Sequence, residues 1–284
     1  MPARSWYRIL RGICITLVAV VAFSLAGRAI IQRSYPSHAQ DAAAIDGIFG
    51  YTFSSEGILY EAGTPDESSS PYWWLDSGGK LIIENAVGKT LQGTLSRTDR
   101  WRGLYARANA ADTDDGARPQ NLFRLLTRSI WKNVRTEVAF RVTADNASDS
   151  PNKNKSNGLL LMSRYLDDDN LYYAGLRIDG HAVIKKKYDG VYFTMIEKPI
   201  IEGRGNRLLP RNEWITLGME TRNEDDAVRI TLSRKNADGS WEELVSATDS
   251  GQFDDTAPIR GTYPVGIRTD FMDVEFDDFK AEEI

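Results

Sequence analysis

Residues 158–199 constrain the fold more than any other part of the chain, because they read as four strands joined by three tight turns. The text runs GLLLMSRYL, the turn DDDN, LYYAGLRI, an Asp-Gly turn, HAVIKKKY, a second Asp-Gly turn and VYFTMIEKP. Apolar, aromatic and β-branched residues alternate with polar ones, the pattern of half-buried strands. Asp-Gly is a strong hairpin signal because it accommodates the positive φ angles of the tight turns. Other strand-like runs lie at NVRTEVAFRVTA, EWITLGMETRN, AVRITLSRK, SWEELVSAT and GIRTDFMDVEFDDFKAEEI. The total is roughly 12–14 strands, too many for one flat sheet. The predicted fold class is therefore all-β, a β-sandwich of two packed antiparallel sheets. Residues 98–119 are the least strand-like part of the body and read as a long loop with one short helical turn.

The N-terminus reads as a targeting device. Arg4, Arg8 and Arg11 precede an uncharged, mostly apolar run over 12–27, which suits a signal-peptide core or a short span over 9–31 with Arg11 and Arg28 at its ends. Residues 1–31 are read as a signal peptide or signal anchor, 32–47 as a linker and 48–284 as the sandwich domain. The body is then exported, periplasmic or extracellular, and an uncleaved segment 9–31 tethers it to the cytoplasmic membrane through an N-terminal hydrophobic helix. Residues 1–33 hold five Arg and no acid, so the rest of the chain carries 30 basic and 40 acidic residues. An acidic body excludes nucleic acid as the expected partner, since phosphates need a basic surface. Cys14 is the only cysteine and lies in the apolar run, so the domain has no disulfide and no thiol nucleophile. With two His besides, His38 and His181, a zinc site is not expected.

The runs SRYLDDDNLYYAGLRIDGHAVIKKKYDGVYF, NEWITLGMETRN and GIRTDFMDVEFDDFKA together resemble the concanavalin-A-like lectin/glucanase superfamily, and most nearly its laminin-G-like and 3-keto-disaccharide-hydrolase-type bacterial domains. The resemblance covers about residues 158–282 well and the preceding part only in general character. It implies a jelly-roll sandwich. Members of such a superfold bind glycans, hydrolyse them or eliminate across them, so it does not assign an activity.

Several side-chain patterns are candidates for chemistry. In the meander, Leu159, Leu161, Tyr172, Ala174, Leu176 and Ile178 are expected inward. Arg164, Tyr173 and Arg177 then share the other face, joined by Lys185 if the register allows. Guanidinium groups beside aromatic rings suit an acidic sugar, the fork holding a carboxylate while the ring stacks on the pyranose. Arg135 and Glu137 are expected to adjoin them; Arg-x-Glu is similar to a strand motif of alginate-lyase-type jelly rolls, whose companion Gln-x-His and Tyr-x-Lys motifs are missing here. On the closing strand Asp273, Glu275 and Asp277 share one face opposite Met272, Val274 and Phe276. That spacing suits acid/base work on a glycosidic bond, though the Glu-x-Asp-x-x-Glu order of laminarinase-type enzymes is absent. Asp277 and Asp278 are hard oxygen ligands and the candidates for a structural Ca²⁺, the one cofactor considered. Trp74 and Trp101 are candidate sugar-stacking platforms.

These readings favour a non-enzymatic, carbohydrate-binding domain that takes a polysaccharide, in particular an anionic one, through Arg135, Arg164, Tyr173, Arg177, Lys185, Trp74 and Trp101. An enzyme on the same scaffold, a polysaccharide lyase or glycoside hydrolase, would draw on Glu137, Tyr173, Asp273 and Glu275. A laminin-G-like protein-interaction domain of the cell envelope is the third alternative. The sequence leaves the oligomeric state open.

Overall fold

In the computed structural model the described residues are 42–45, 47–153, 157–203 and 207–284, and they lie in one compact unit. The expected signal or anchor segment 1–31, with its membrane tether, lies outside them. So does most of the expected linker, whose residues Ala42–Ile45 form a strand. Among the described residues no helix is long and apolar enough to cross a membrane.

In the N-terminal half the strands are β1 Ala42–Ile45, β2 Ile48–Tyr51, β3 Gly57–Tyr60, β4 Trp73–Ser77, β5 Lys80–Glu84, β6 Val87–Lys89, β7 Phe123–Thr127 and β8 Val134–Asp145. The meander supplies β9 Gly158–Asp167, β10 Asn170–Arg177, β11 His181–Tyr188 and β12 Val191–Pro199. Then follow β13 Trp214–Glu224, β14 Ala227–Lys235, β15 Trp241–Asp249, β16 Gly266–Thr269 and β17 Met272–Glu283. A back sheet runs β15-β14-β13-β8-β17-β6-β5-β3, with the β1/β2 hairpin also paired to β17; a front sheet runs β12-β11-β10-β9-β16-β7-β4. Every strand pairing is antiparallel. The all-β sandwich of two antiparallel sheets is thus observed, with more and shorter strands than the sequence suggested.

The core lies between the sheets. Val134, Thr136, Val138, Phe140 and Val142 of β8 alternate inward. They join Met272, Val274 and Phe276 of β17 and, from the front sheet, Leu159, Leu161, Tyr172, Ala174 and Leu176. Trp73 sits at its aromatic end, in edge contact with Phe279 at 4.7 Å and with Tyr51 at 5.4 Å. Both Asp-Gly turns are where the sequence puts them; Asp189 and Gly190 have φ of 46° and 80°, the paired positive values of a tight hairpin turn.

The segment expected to be mostly loop holds a helix, α1 Arg100–Ala108. Asp99 caps it, its side chain accepting from the Trp101 N–H at 2.8 Å. Trp101 and Tyr105, four residues apart, are its two buried side chains. Four residues is the helical spacing that a strand-period reading of this segment overlooks.

Candidate functional site

The outward face of the front sheet carries a second apolar cluster. Leu126, Leu160, Met162, Tyr165, Leu171, Tyr173 and Val183 are all buried there, with Trp74 half-buried against them. Side chains on the solvent side of a sheet are ordinarily wet; on this face the larger residues cover the smaller. Cross-strand partners share a face, which places the polar groups. One row runs Glu197, Val183, Gly175, Leu160, Arg268 and Arg124 across β12, β11, β10, β9, β16 and β7. The next runs Thr194, Lys185, Tyr173, Met162, Gly266, Leu126 and Trp74. Arg177 lies beyond the first row, opposite Gly158.

Two arginines on this face are held alike, each by the aspartate two residues on. Arg177 donates through Nε to Asp179 at 2.9 Å and through Nη2 to its other oxygen, while Nη1 meets Glu197 at 2.5 Å. Arg268 donates through Nε to Asp270 at 3.0 Å, with Nη2 at 2.9 Å from the same carboxylate. The Arg268 guanidinium lies over the Tyr173 ring at 5.0 Å and nearer the edge of reach over Tyr192 at 6.0 Å. Those two rings meet edge-on at 6.2 Å. Arg124, directly across from Arg268, donates to Asp76 at 2.6 Å, and the Tyr165 hydroxyl donates to the same carboxylate at 3.1 Å. Burial holds the Lys185 ammonium below the ordinary lysine pKa, and Arg177 and Arg268 reinforce the shift by repulsion. Burial likewise pushes the Tyr173 and Tyr165 hydroxyls up, so both are protonated donors at neutral pH.

The structure brings Tyr173, Arg177, Lys185 and Trp74 onto one face, and places Arg268, Arg124, Asp76, Tyr165 and Tyr192 beside them. The Arg268 signal was present in the sequence: Arg268-Thr-Asp270 repeats the Arg177-Ile-Asp179 pattern at the end of another strand.

Other candidates lie elsewhere. Arg164 does not join this face. Its φ is +52° at an irregularity in the β9/β10 pairing, and that local turn of the backbone reverses the alternation. Its guanidinium is buried against the carbonyls of Gly261 and Trp131 and the side-chain oxygen of Asn223 at 3.0 Å. Desolvation lowers its pKa to about 10. Trp101 is 3% exposed beneath α1, too buried to stack on a ligand. Arg135 and Glu137 are paired at 2.6 Å on the outer face of the back sheet, where Arg135 also meets Glu220 at 2.7 Å. They therefore do not adjoin the meander residues.

The closing-strand acids do not converge. Asp273 is buried and accepts from the Gly93 N–H at 2.6 Å, Gln120 at 3.0 Å and Asn146 at 2.9 Å, anchoring three connecting segments to β17. Glu275 is engaged by Arg141 at 2.7 Å and Lys89 at 3.4 Å. Asp277 and Asp278 sit at a pairing irregularity where the Asp278 N–H donates to Asp277 at 2.7 Å. Burial raises the Asp277 pKa, with Asp278 repulsion adding to it. Among the described residues no group of three His, Cys, Asp or Glu gathers to hold a metal ion, at Asp277 and Asp278 or elsewhere.

Comparison with known proteins gives likenesses of structure alone. No protein-family model matches the chain, and no curated protein sequence does. The carbohydrate-binding module CBM66 from Bacillus subtilis aligns over 74% of this chain and 95% of its own, at 13% identity and a TM-score of 0.47. Winged bean acidic lectin, solved with methyl-α-D-galactose, aligns over 80% and 97% at 10% identity and 0.44. The GH43 protein BlXynB from Bacillus licheniformis aligns over 72% of this chain but only 34% of its own, at 11% identity and 0.43. With TM-scores below 0.5 these likenesses add no argument to the strand pairings that establish the sandwich.

Proposed function

We propose that the chain is an exported, membrane-tethered carbohydrate-binding domain that takes an acidic polysaccharide along the outer face of its front sheet. The observation that carries this reading is the arrangement of Arg268. One edge of its guanidinium is fixed by Asp270 and its face lies over Tyr173, with Arg124 directly across and Lys185 on the next row. A fixed fork, an adjacent ammonium and tyrosine hydroxyls supply donors for a sugar carboxylate, while the Tyr192 ring, 47% exposed, offers a surface for a pyranose face. The N-terminal charge pattern supports export and tethering.

The test is electrophoresis of the full chain through native gels cast with alginate or with a neutral glucan, alongside Arg268→Ala and Tyr173→Ala. Retardation in alginate that both variants lose, with the polymer intact afterwards, is the expected result. Unaltered retardation of both variants would remove the site from this face. Shortened polymer would instead establish an enzyme.

A further inference from the structure

The outer face of the back sheet, on the other side of the sandwich from the front-sheet site, carries an arrangement that the proposed function does not use. Trp214 of β13 is 43% exposed, and Arg141 of β8 lies over its ring at 4.6 Å. Trp241 of β15 lies against β13 at Gly218, where an added Cβ would come within 2.9 Å of the ring, and Arg135 of β8 lies over it at 4.3 Å. Each arginine is itself held: Arg135 by Glu137 at 2.6 Å and Glu220 at 2.7 Å, Arg141 by Glu275 at 2.7 Å. Trp214 and Gly218 are four residues apart on one strand, so the two indoles are spaced by on the order of 13 Å along the sheet.

We infer that this face is a second glycan-contacting surface, for a neutral β-linked chain stacked across Trp214 and Trp241. Three features favour that occupant over a protein. Both rings are fixed before any ligand arrives, which lowers the entropy cost of stacking. The two arginines over the rings are neutralised by Glu137, Glu220 and Glu275, and Lys235 Nζ adds a further cation 5.9 Å from the Trp241 ring, so the stacking surface itself is not built around an unpaired arginine. The ground around the rings is polar rather than apolar: Thr216 lies between Trp214 and Gly218 on the alternation, and Thr231 shares a hydrogen bond with Ser246 at 3.1 Å on β14 and β15. Aromatic rings set among hydroxyls and paired charges match the alternation of apolar ring faces and equatorial hydroxyls on a sugar chain, whereas a protein interface centres on contiguous apolar area.

The test titrates the full chain with cellohexaose and chitohexaose, reading intrinsic tryptophan fluorescence and affinity by calorimetry. Binding of either oligosaccharide, weakened about tenfold or more in Trp214→Ala/Trp241→Ala and unchanged in Arg268→Ala, is the expected result. Thermal unfolding of the double variant serves as the fold control, and Trp214→Phe, which keeps a ring, is expected to retain most of the affinity. No binding of either oligosaccharide to the unaltered chain would overturn the inference, as would equal binding by the folded double variant. Neither outcome bears on alginate retention, so this surface and the front-sheet site fail or stand separately.

Discussion

Among individual residues, Glu61 is the clearest case of a charge held where it costs stability. Its carboxylate accepts from the Gly79 N–H at 2.8 Å and from the Tyr105 hydroxyl, tying α1 to the β4/β5 turn, where Gly78 and Gly79 have φ of 109° and 77°. Burial raises its pKa above the usual carboxylate value despite those two donors. A raised carboxylate binds its proton more tightly folded than unfolded. The favourable contribution is therefore complete below the unfolded value and disappears as pH climbs through the folded one. Glu61→Gln keeps an acceptor for both donors and removes the charge. The variant is expected to gain stability relative to the native chain between pH 4 and pH 7, read as urea midpoints at both values; an unchanged difference would show that Glu61 ionises normally. The same scale explains what could be read from sequence at the site. Tyr173, Arg177 and Lys185 were legible because they stand on regular strands where period two holds. For Arg268 the Arg-x-Asp pattern was visible but its place on this face was not, because that place between β9 and β7 comes from a pairing more than a hundred residues apart in the chain. Asp273 and Glu275 were legible as one face of a strand, but the neutral donors and cations that occupy them arrive from β6, β8 and distant loops.

Single elements show where periodic reasoning succeeds and where it breaks. β9 to β12 follow the sequence almost to the residue, since local turn chemistry sets the register of consecutive hairpins. The exception is Arg164, where a positive φ swings one side chain out of the pattern that its neighbours obey. Helix α1 went largely unread because a nine-residue helix with two buried aromatics offers little periodic text. Across the core, β11 is tied to β15 by a pair invisible to local patterns. Lys186 Nζ lies 2.8 Å from Asp249, with both side chains fully buried, and also donates to the Thr256 and Ala257 carbonyls at 2.9 Å each. Tyr172 donates to the same aspartate at 2.5 Å. Lys186→Met leaves that carboxylate buried with the tyrosine and a backbone N–H but no cation, so a loss of about 3–5 kcal/mol is expected. Chemical denaturation measures it, and a loss below about 1 kcal/mol would mean that the pair adds little beyond packing.

For the sandwich as a whole, the two outer faces differ in what they have buried. The front face gathers four cations: Arg124, Arg177, Lys185 and Arg268. Asp76, Asp179, Asp270 and Glu197 hold the three arginines there. Lys185 is the group on which the balance turns, because burial and the two neighbouring guanidiniums together depress its pKa. A depressed lysine binds its proton less tightly folded than unfolded, so stability rises with pH through the window below the ordinary lysine value. An acidic sugar on this face works against that shift, since its carboxylate favours the charged ammonium. The consequence, which rests on the proposed front-sheet site, is a pH-dependent affinity. Alginate binding is expected to be level near neutrality and to weaken as pH rises through the lowered Lys185 value, before free lysine titrates. Lys185→Arg holds its charge across the range and is expected to abolish the decline while retaining affinity at neutral pH. Calorimetric titrations with an alginate oligosaccharide between pH 7 and pH 10.5 decide the matter. A native profile as flat as that of Lys185→Arg would mean that Lys185 does not meet the sugar carboxylate, and would leave Arg268 and Arg124 to bind it unaided.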